Sequence, residues 1–271
     1  MNSDRKVIAI VQARMTSSRL PGKMMMDVGG QPLIVRTLEQ AKAIPGIQTV
    51  VLATTNDDAD QILLQIAEEQ GVVPFAGSLT DVLDRYYQAA SQAGADAVMR
   101  LTGDCPLIDP AVCQEVLNRF LSGEEAYVSN VRPPTYPDGL DTEIFSFEAL
   151  ECAWNTATLP SDREHVSQYI WRNPDQFPNA NVSNDDDLSS LRWTVDEPQD
   201  IEFVRSVYES LAKRGLKTYG FREVLNVILE DELQDPSLVF ERNEGQIRAL
   251  DADGLDYAKE MEQFTTVELD D

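Results

Sequence analysis

Residues 7–23 read VIAIVQARMTSSRLPGK. The first five, Val7 to Val11, are an unbroken apolar and mostly β-branched run. That is the pattern of a strand buried within a parallel sheet. The chain then leaves the strand through a polar loop that carries Arg14, Arg19 and Lys23 and contains Pro21-Gly22. In a parallel α/β sheet, ligands sit at the carboxyl ends of the strands. Three cations at such a place, on a chain with a formal net charge of −25, point to an anionic ligand.

Working outward, the hydrophobic period alternates. Strands are predicted over 7–13, 49–55 (TVVLATT), 72–76 (VVPFA) and 95–103 (ADAVMRLTG). Between and after them, helices are predicted over 31–44, 57–70, 80–93 and 110–121. Pro45-Gly46, Gly71 and Gly94 supply stop signals, Thr80 or Asp81 an N-cap, and Pro110 a first helical residue. Strand–helix alternation with short loops implies right-handed βαβ units and a parallel sheet. Residues 130–177 break the rhythm with five prolines and short elements (TEIFS, REHVSQYIW), which reads as an α+β insertion that leaves the main sheet. A strand is expected over 188–195 (LSSLRWTV), then helices over 197–214 and 221–231. The predicted organisation is one domain over 1–231, with 130–177 inserted, and an acidic extension over 232–271. That extension holds Leu238, Val239, Phe240, Ile247 and Leu250, which implies partial packing, and it is expected to fray at its end.

Composition excludes several classes. The acidic charge repels nucleic acid and anionic membranes. No apolar run has the length of a membrane span, and the N-terminus has no signal-peptide h-region. Cys105, Cys113 and Cys152 are odd in number and form no C-x-x-C pair, so a disulfide framework is not expected and a reduced cytoplasm is. The charge is uneven. Residues 1–42 hold seven cations against three acids, and residues 231–271 hold thirteen acids against three cations.

Two phosphate loops fail on the opening stretch. A Walker loop needs glycine where Ser17 stands and Ser or Thr where Met24 stands, and no G-x-G-x-x-G follows the strand. What remains is a longer loop whose amides and cations suit a triphosphate. Arg grips phosphate oxygens with paired donors, and Lys is a mobile point charge. Ala13-Arg14-Met15-Thr16-Ser17-Ser18-Arg19-Leu20-Pro21-Gly22-Lys23 resembles the first loop of the sugar nucleotidyltransferases of the acid-sugar cytidylyltransferase group. TYPDGLDTEIFSFEALECAW and REHVSQYI are similar to the spore coat polysaccharide biosynthesis protein F subgroup.

The turn LTGDCPLIDP (101–110) and the segment RWTVDEPQDIEFV (192–204) also resemble that family. They place Asp104 and Asp196 each after a predicted strand, where two carboxylates suit Mg²⁺, a hard cation that takes oxygen ligands. The alternative readings are an N-cap for Asp196 and a turn former for Asp104. The resemblance implies a Rossmann-like three-layer α/β/α fold with a mainly parallel sheet and the inserted α+β segment. It also implies Mg²⁺-dependent transfer of a nucleotidyl group from CTP to a sugar. Arg14, Lys23 and Asp104 then carry catalysis. The nucleotide lies on Gln12, Ala13, Arg14, Ser17, Ser18 and Lys23, with Arg85, Thr102 and Gly103 beside the base and phosphates.

For the second substrate, Asp141, Glu143, His165 and Arg192 are the polar candidates. Asp141 and Glu143 alternate on a predicted strand and would share one face. His165, the only histidine, has no Cys or His partner near it in sequence for zinc. Trp154, Tyr169, Ile170 and Trp171 offer either an apolar dimer face or an intrachain cover. Two other functions stay open at this level. A glycosyltransferase would use Asp104 or Asp185-Asp186-Asp187 to hold a metal-bound nucleotide sugar, and a non-catalytic protein would keep only the nucleotide site.

Overall fold

A computed structural model describes residues 5–236 and 242–265. Leu238, Val239 and Phe240 lie outside those residues, as does the end of the chain at which fraying is expected. Strands β1 (Val7–Gln12), β4 (Thr49–Thr55), β5 (Val73–Gly77) and β6 (Ala97–Thr102) form the predicted parallel ladder, with β2 (Asp27–Val28) and β3 (Gln31–Pro32) as a small hairpin apart from it.

Between these strands run α1 (Leu33–Lys42), α2 (Gln61–Glu69) and α3 (Val82–Ala93), and α4 (Pro110–Ser122) follows β6. The expected caps form: the Asp84 amide donates to Asp81 at the start of α3, and the Ala111 amide donates to Asp109 at the start of α4. Three short strands, β7 (Tyr127–Ser129), β8 (Glu143–Ser146) and β9 (Asn179–Asn181), extend the ladder. The resulting seven-stranded sheet has the order β5-β4-β1-β6-β8-β7-β9.

Strand order reverses at β1. The chain moves outward from β1 to β4 and β5, then returns to place β6 on the other side of β1. The carboxyl ends of β1 and β6 therefore flank a crevice at a topological switch point. β1 alternates its side chains between two cores. Val7, Ala9 and Val11 join one with α1, α4, α8 (Pro198–Lys213) and α9 (Phe221–Glu230), while Ile8 and Ile10 join another with α3, α5 (Phe147–Thr156) and α7 (Gln168–Trp171). This is the three-layer arrangement that the family resemblance implies.

Two expectations on the middle of the chain are corrected. The insertion does not leave the main sheet: β8 pairs antiparallel with both β6 and β7, inside the sheet. Residues 188–195 form no strand beyond an isolated bridge between Arg192 and Asp138. Their backbone groups bond instead to two turns, with the Trp193 amide donating to Asp138 O at 2.6 Å and the Val195 amide to Asp104 O at 2.9 Å. That pairing ties the segment before α8 to the turn after β6. REHVSQYIW is split into α6 (Pro160–Glu164) and α7, with Val166 between them at φ 56°.

Ile170 and Trp171 are fully buried in the second core, so neither supplies an outward face. The Arg132 guanidinium lies 4.4 Å from the centre of the Trp171 ring. Trp154 and Tyr169 are half-buried, and Trp154 stacks on Tyr87 at 4.1 Å. The acidic extension forms α10 (Glu244–Ala252), in which Leu250 is fully buried, and α11 (Tyr257–Thr265). Both return to the insertion: the Ser161 amide donates to Asp253, and Arg172 pairs with Glu260. We expect Trp171→Ala to cost about 3–5 kcal/mol, read as a lower urea midpoint, because it empties the joint between insertion and sheet. A loss below about 1 kcal/mol would show that this joint does not hold the insertion.

Candidate active site

The turn after β6 approaches β1 closely. A Cβ on Gly103 would lie 2.9 Å from both Gln12 O and the Ala13 Cβ, so only glycine fits without displacement. The Gly103 amide donates to Gln12 O at 2.8 Å, and Thr37 Oγ1 donates to Gly103 O at 2.9 Å. These bonds fix Asp104 at the mouth of the crevice. Asp196 arrives from the other side, just before α8. The Asp196 and Glu197 amides both donate to Asp200 Oδ2, at 2.7 and 2.9 Å.

Lys23 lies between the two carboxylates. Its Nζ donates to Asp104 Oδ2 at 2.8 Å, to Asp196 Oδ1 at 2.8 Å and to Val195 O at 2.7 Å. An ammonium has three donors, and all three are used. Lys23 is 5% exposed. Burial works against its charge, but Asp104 and Asp196 outweigh burial and raise its pKa above the usual lysine range. Burial likewise opposes the Asp196 charge, and Lys23, Arg19 and Arg192 outweigh it, so the Asp196 pKa is lowered. Arg19 reaches the same group, with Nη2 2.8 Å from Asp196 Oδ2, and its Nη1 lies 3.5 Å from Glu244 of the extension.

Two hard oxygen donors converging on one cation-sized point fit a divalent metal completed by phosphate and water. Among the described residues no group of three or more His, Cys, Asp or Glu offers a metal cage. The Asp185–Asp187 run stands elsewhere, in a loop where Asp187 accepts the Ser189 amide and Asp185 lines a cavity with Tyr136 and Glu115.

Other expected nucleotide residues stand at the carboxyl edge of the sheet. Gln12 ends β1, and Arg85 packs against Gly77 at the end of β5. Gln12 Oε1, Thr54 Oγ1 and Arg85 Nε are buried without a hydrogen-bond partner among the described residues. Arg85 is 4% exposed, and its pKa is lowered mainly by burial, with Arg14 adding repulsion. Arg14 is exposed. Ala13 is buried, Ser17 Oγ accepts the Leu20 amide at 3.3 Å, Ser18 is exposed, and Thr102 Oγ1 lies 3.0 Å from Cys105 Sγ.

The four candidates for the second substrate separate. Asp141 and Glu143 do not share a face, because Asp141 precedes β8 and pairs with Arg242 at 2.5 Å, while Glu143 turns into the second core. Glu143 meets Arg100 at 2.5 Å, Tyr127 OH at 2.6 Å, Ser167 Oγ at 2.7 Å and Arg132 at 3.4 Å. Burial opposes its charge, yet Arg100 and Arg132 hold its pKa down to about 2. His165 faces the same charges. Burial and Arg100 depress its pKa to about 4. His165 Nε2, Arg100 Nε, Arg132 Nε and Trp171 Nε1 are all buried without a hydrogen-bond partner among the described residues. Arg192 is a strut: Nε and Nη2 each lie 3.1 Å from a different oxygen of the fully buried Asp200, and Nη1 lies 3.3 Å from Asp138. Burial and Asp141 push the Asp138 carboxyl up to about 7, against Arg242 and Arg192. Sequence reasoning missed Arg100, Arg132 and Asp138. Arg100 left one signal, a lone cation in the apolar strand AVMRLT.

Comparison with known proteins identifies the family. A family model described as cytidylyltransferase matches residues 8–268. A cytidylyltransferase from Leptospira borgpetersenii superposes with a TM-score of 0.79 at 33% identity, covering 84% of this chain and 95% of that one. Spore coat polysaccharide biosynthesis protein SpsF of Bacillus subtilis is 27% identical over 217 residues, 77% of this chain and 88% of its own length. A 3-deoxy-manno-octulosonate cytidylyltransferase of Chlorobaculum parvum is 42% identical over 184 residues, 61% of this chain and 73% of its own length. The chain belongs to the cytidylyltransferase family and is a nucleotidyltransferase.

The depressed pKa of His165 sets a pH dependence. The unfolded chain takes up a proton near pH 6.5, and the folded chain only near pH 4. The His165 contribution to stability is therefore full above about pH 6.5 and falls as pH drops toward 4, while Asp138, raised to about 7, contributes the opposite trend over much of the same range. In urea unfolding, the stability of the parent relative to His165→Gln should fall as pH drops from about 6.5 to 4, because the difference cancels Asp138. Because the chain has one histidine, its imidazole resonance reads the folded midpoint directly, and a midpoint near 6.5 contradicts the assignment.

Proposed function

We propose that this nucleotidyltransferase activates a sugar with CTP, giving a CMP-sugar and pyrophosphate. The observation that carries the reading is the convergence of Lys23, Asp104 and Asp196 at the switch point between β1 and β6. CTP is favoured by the family and by the names of the relatives above, and an acid sugar by the name of the Chlorobaculum parvum relative. A part in surface polysaccharide biosynthesis is inferred from the SpsF name. A cytoplasmic setting is supported by the CTP requirement and by free thiols at Cys105, Cys113 and Cys152.

Asp104 and Asp196 are the residues that would hold Mg²⁺. Bound there, the metal supplies charge neutralisation for the triphosphate and the leaving pyrophosphate. Lys23 and the metal are rivals for the same two carboxylates. Lys23 released from them is a cation for phosphate oxygens at the mouth of the loop, and exposed Arg14 is a second. Gln12 and Arg85, with unsatisfied buried atoms, suit the base end of the nucleotide. The unpartnered Nε donors of Arg100 and Arg132 beside Glu143 suit an acceptor group of the second substrate, such as a carboxylate. Transfer in line from the α-phosphate needs no covalent enzyme intermediate. Positioning supplies on the order of 7–11 kcal/mol of such a barrier.

We assign 1–231 as the catalytic unit, 130–177 as its substrate cover and 232–271 as an extension. A homodimer through the cover would use Trp154 and Tyr169, since Ile170 and Trp171 are spent within the chain. Asp104→Asn should abolish Mg²⁺-dependent pyrophosphate release while the far-ultraviolet circular dichroism stays that of the parent. The assay is a screen of four nucleoside triphosphates against acid and amino sugars, with and without Mg²⁺. Undiminished release in the variant overturns the metal assignment.

A further inference from the structure

Asp60 closes the short helical turn Asp58–Asp60 after β4 and is fully buried. No ion pair is formed by it among the described residues, although a buried carboxylate is costly without compensation. Its oxygens are satisfied by three donors. Oδ1 accepts the Met15 amide at 2.7 Å, and Oδ2 accepts the Thr55 amide at 3.3 Å and the Thr55 hydroxyl. Thr55 lies five residues away, and a neutral side chain would serve that turn. Met15 lies 45 residues away, in the loop between β1 and Lys23.

Met15 is held at both backbone ends, because its carbonyl accepts the Gly22 amide at 3.0 Å. The loop from Thr16 to Pro21 thus springs from a clamped base, with Arg14 just before the clamp and Lys23 just after it. The Asp60 charge also acts on Arg85, opposing the repulsion that Arg85 receives from Arg14. One buried carboxylate therefore holds the loop backbone and, at Arg85, opposes part of the repulsion from Arg14.

We propose that Asp60 is a positioning residue for the phosphate loop: its carboxylate clamps the Met15 amide and so fixes the backbone between Arg14 and Lys23 at the nucleotide site. This rests on the nucleotide reading above. The test measures binding of CTP with Mg²⁺, and of inorganic tripolyphosphate, by calorimetry, together with urea unfolding, for the parent, Asp60→Asn and Thr55→Val. A hydrogen bond to a charged group is worth enough for at least about a tenfold effect. Asp60→Asn should weaken both ligands by that factor. Thr55→Val, which removes a donor on the far oxygen, should lower stability but leave both affinities within about twofold. Equal weakening in the two variants, or none in Asp60→Asn, overturns the proposal. Tripolyphosphate binding without CTP binding in the parent rejects the nucleotide reading, and the tripolyphosphate series then decides the clamp. If Asp60→Asn does not fold, amide exchange in the parent decides: the Met15 amide should exchange far more slowly than that of Ser18, and equal rates overturn the clamp.

Discussion

The ammonium of Lys23 joins three parts of the chain that are far apart in sequence. Asp104 is 81 residues away and Asp196 is 173. Without a cation between them, two carboxylate oxygens would face each other at no more than twice 2.8 Å. With it, burial is tolerated and the loop after β1 is drawn down to the turn after β6. The arrangement is poised and also self-contained, since every Lys23 donor is used. Asp104 and Asp196 would also be the residues to hold a divalent cation, so Lys23 and such a cation would draw on the same two anions.

Much of this is legible in the sequence because it depends on local pattern. The apolar run before Arg14, the helix stops at Gly71 and Gly94, and the carboxylates placed after predicted strands are short-range signals, and the parallel ladder follows them. The bond from Lys23, expected at the phosphates, to both carboxylates is long-range and is not legible. The misreadings have a common cause. Residues 188–195 alternate like a strand, but their amides serve the turns at Asp138 and Asp104 instead of a neighbouring strand. Asp141 and Glu143 are two residues apart, yet Arg242 draws one outward and Arg100 and Arg132 draw the other inward. Arg242 comes from 101 residues away and Arg100 from 43, distances that no periodicity reports.

The insertion and the extension share one task in the structure. The insertion brings Glu143, His165 and Ser167 over Arg100, and the extension braces it through Asp253 and Glu260. The extension also reaches the crevice itself, through Glu244 near Arg19 and Arg242 on Asp141. A segment that composition marks only as acidic thus meets the basic start of the chain.

That meeting has a consequence for a chain made from its N-terminus onward. The loop with Arg14, Arg19 and Lys23 is synthesised first, and the four parallel strands that support it are complete by Thr102. Its counter-charges arrive in stages: Asp104 almost at once, Asp196 only after the whole insertion, and Glu244 later still. The scaffold can form early, while the electrostatic closure of the site waits for the last helices to appear.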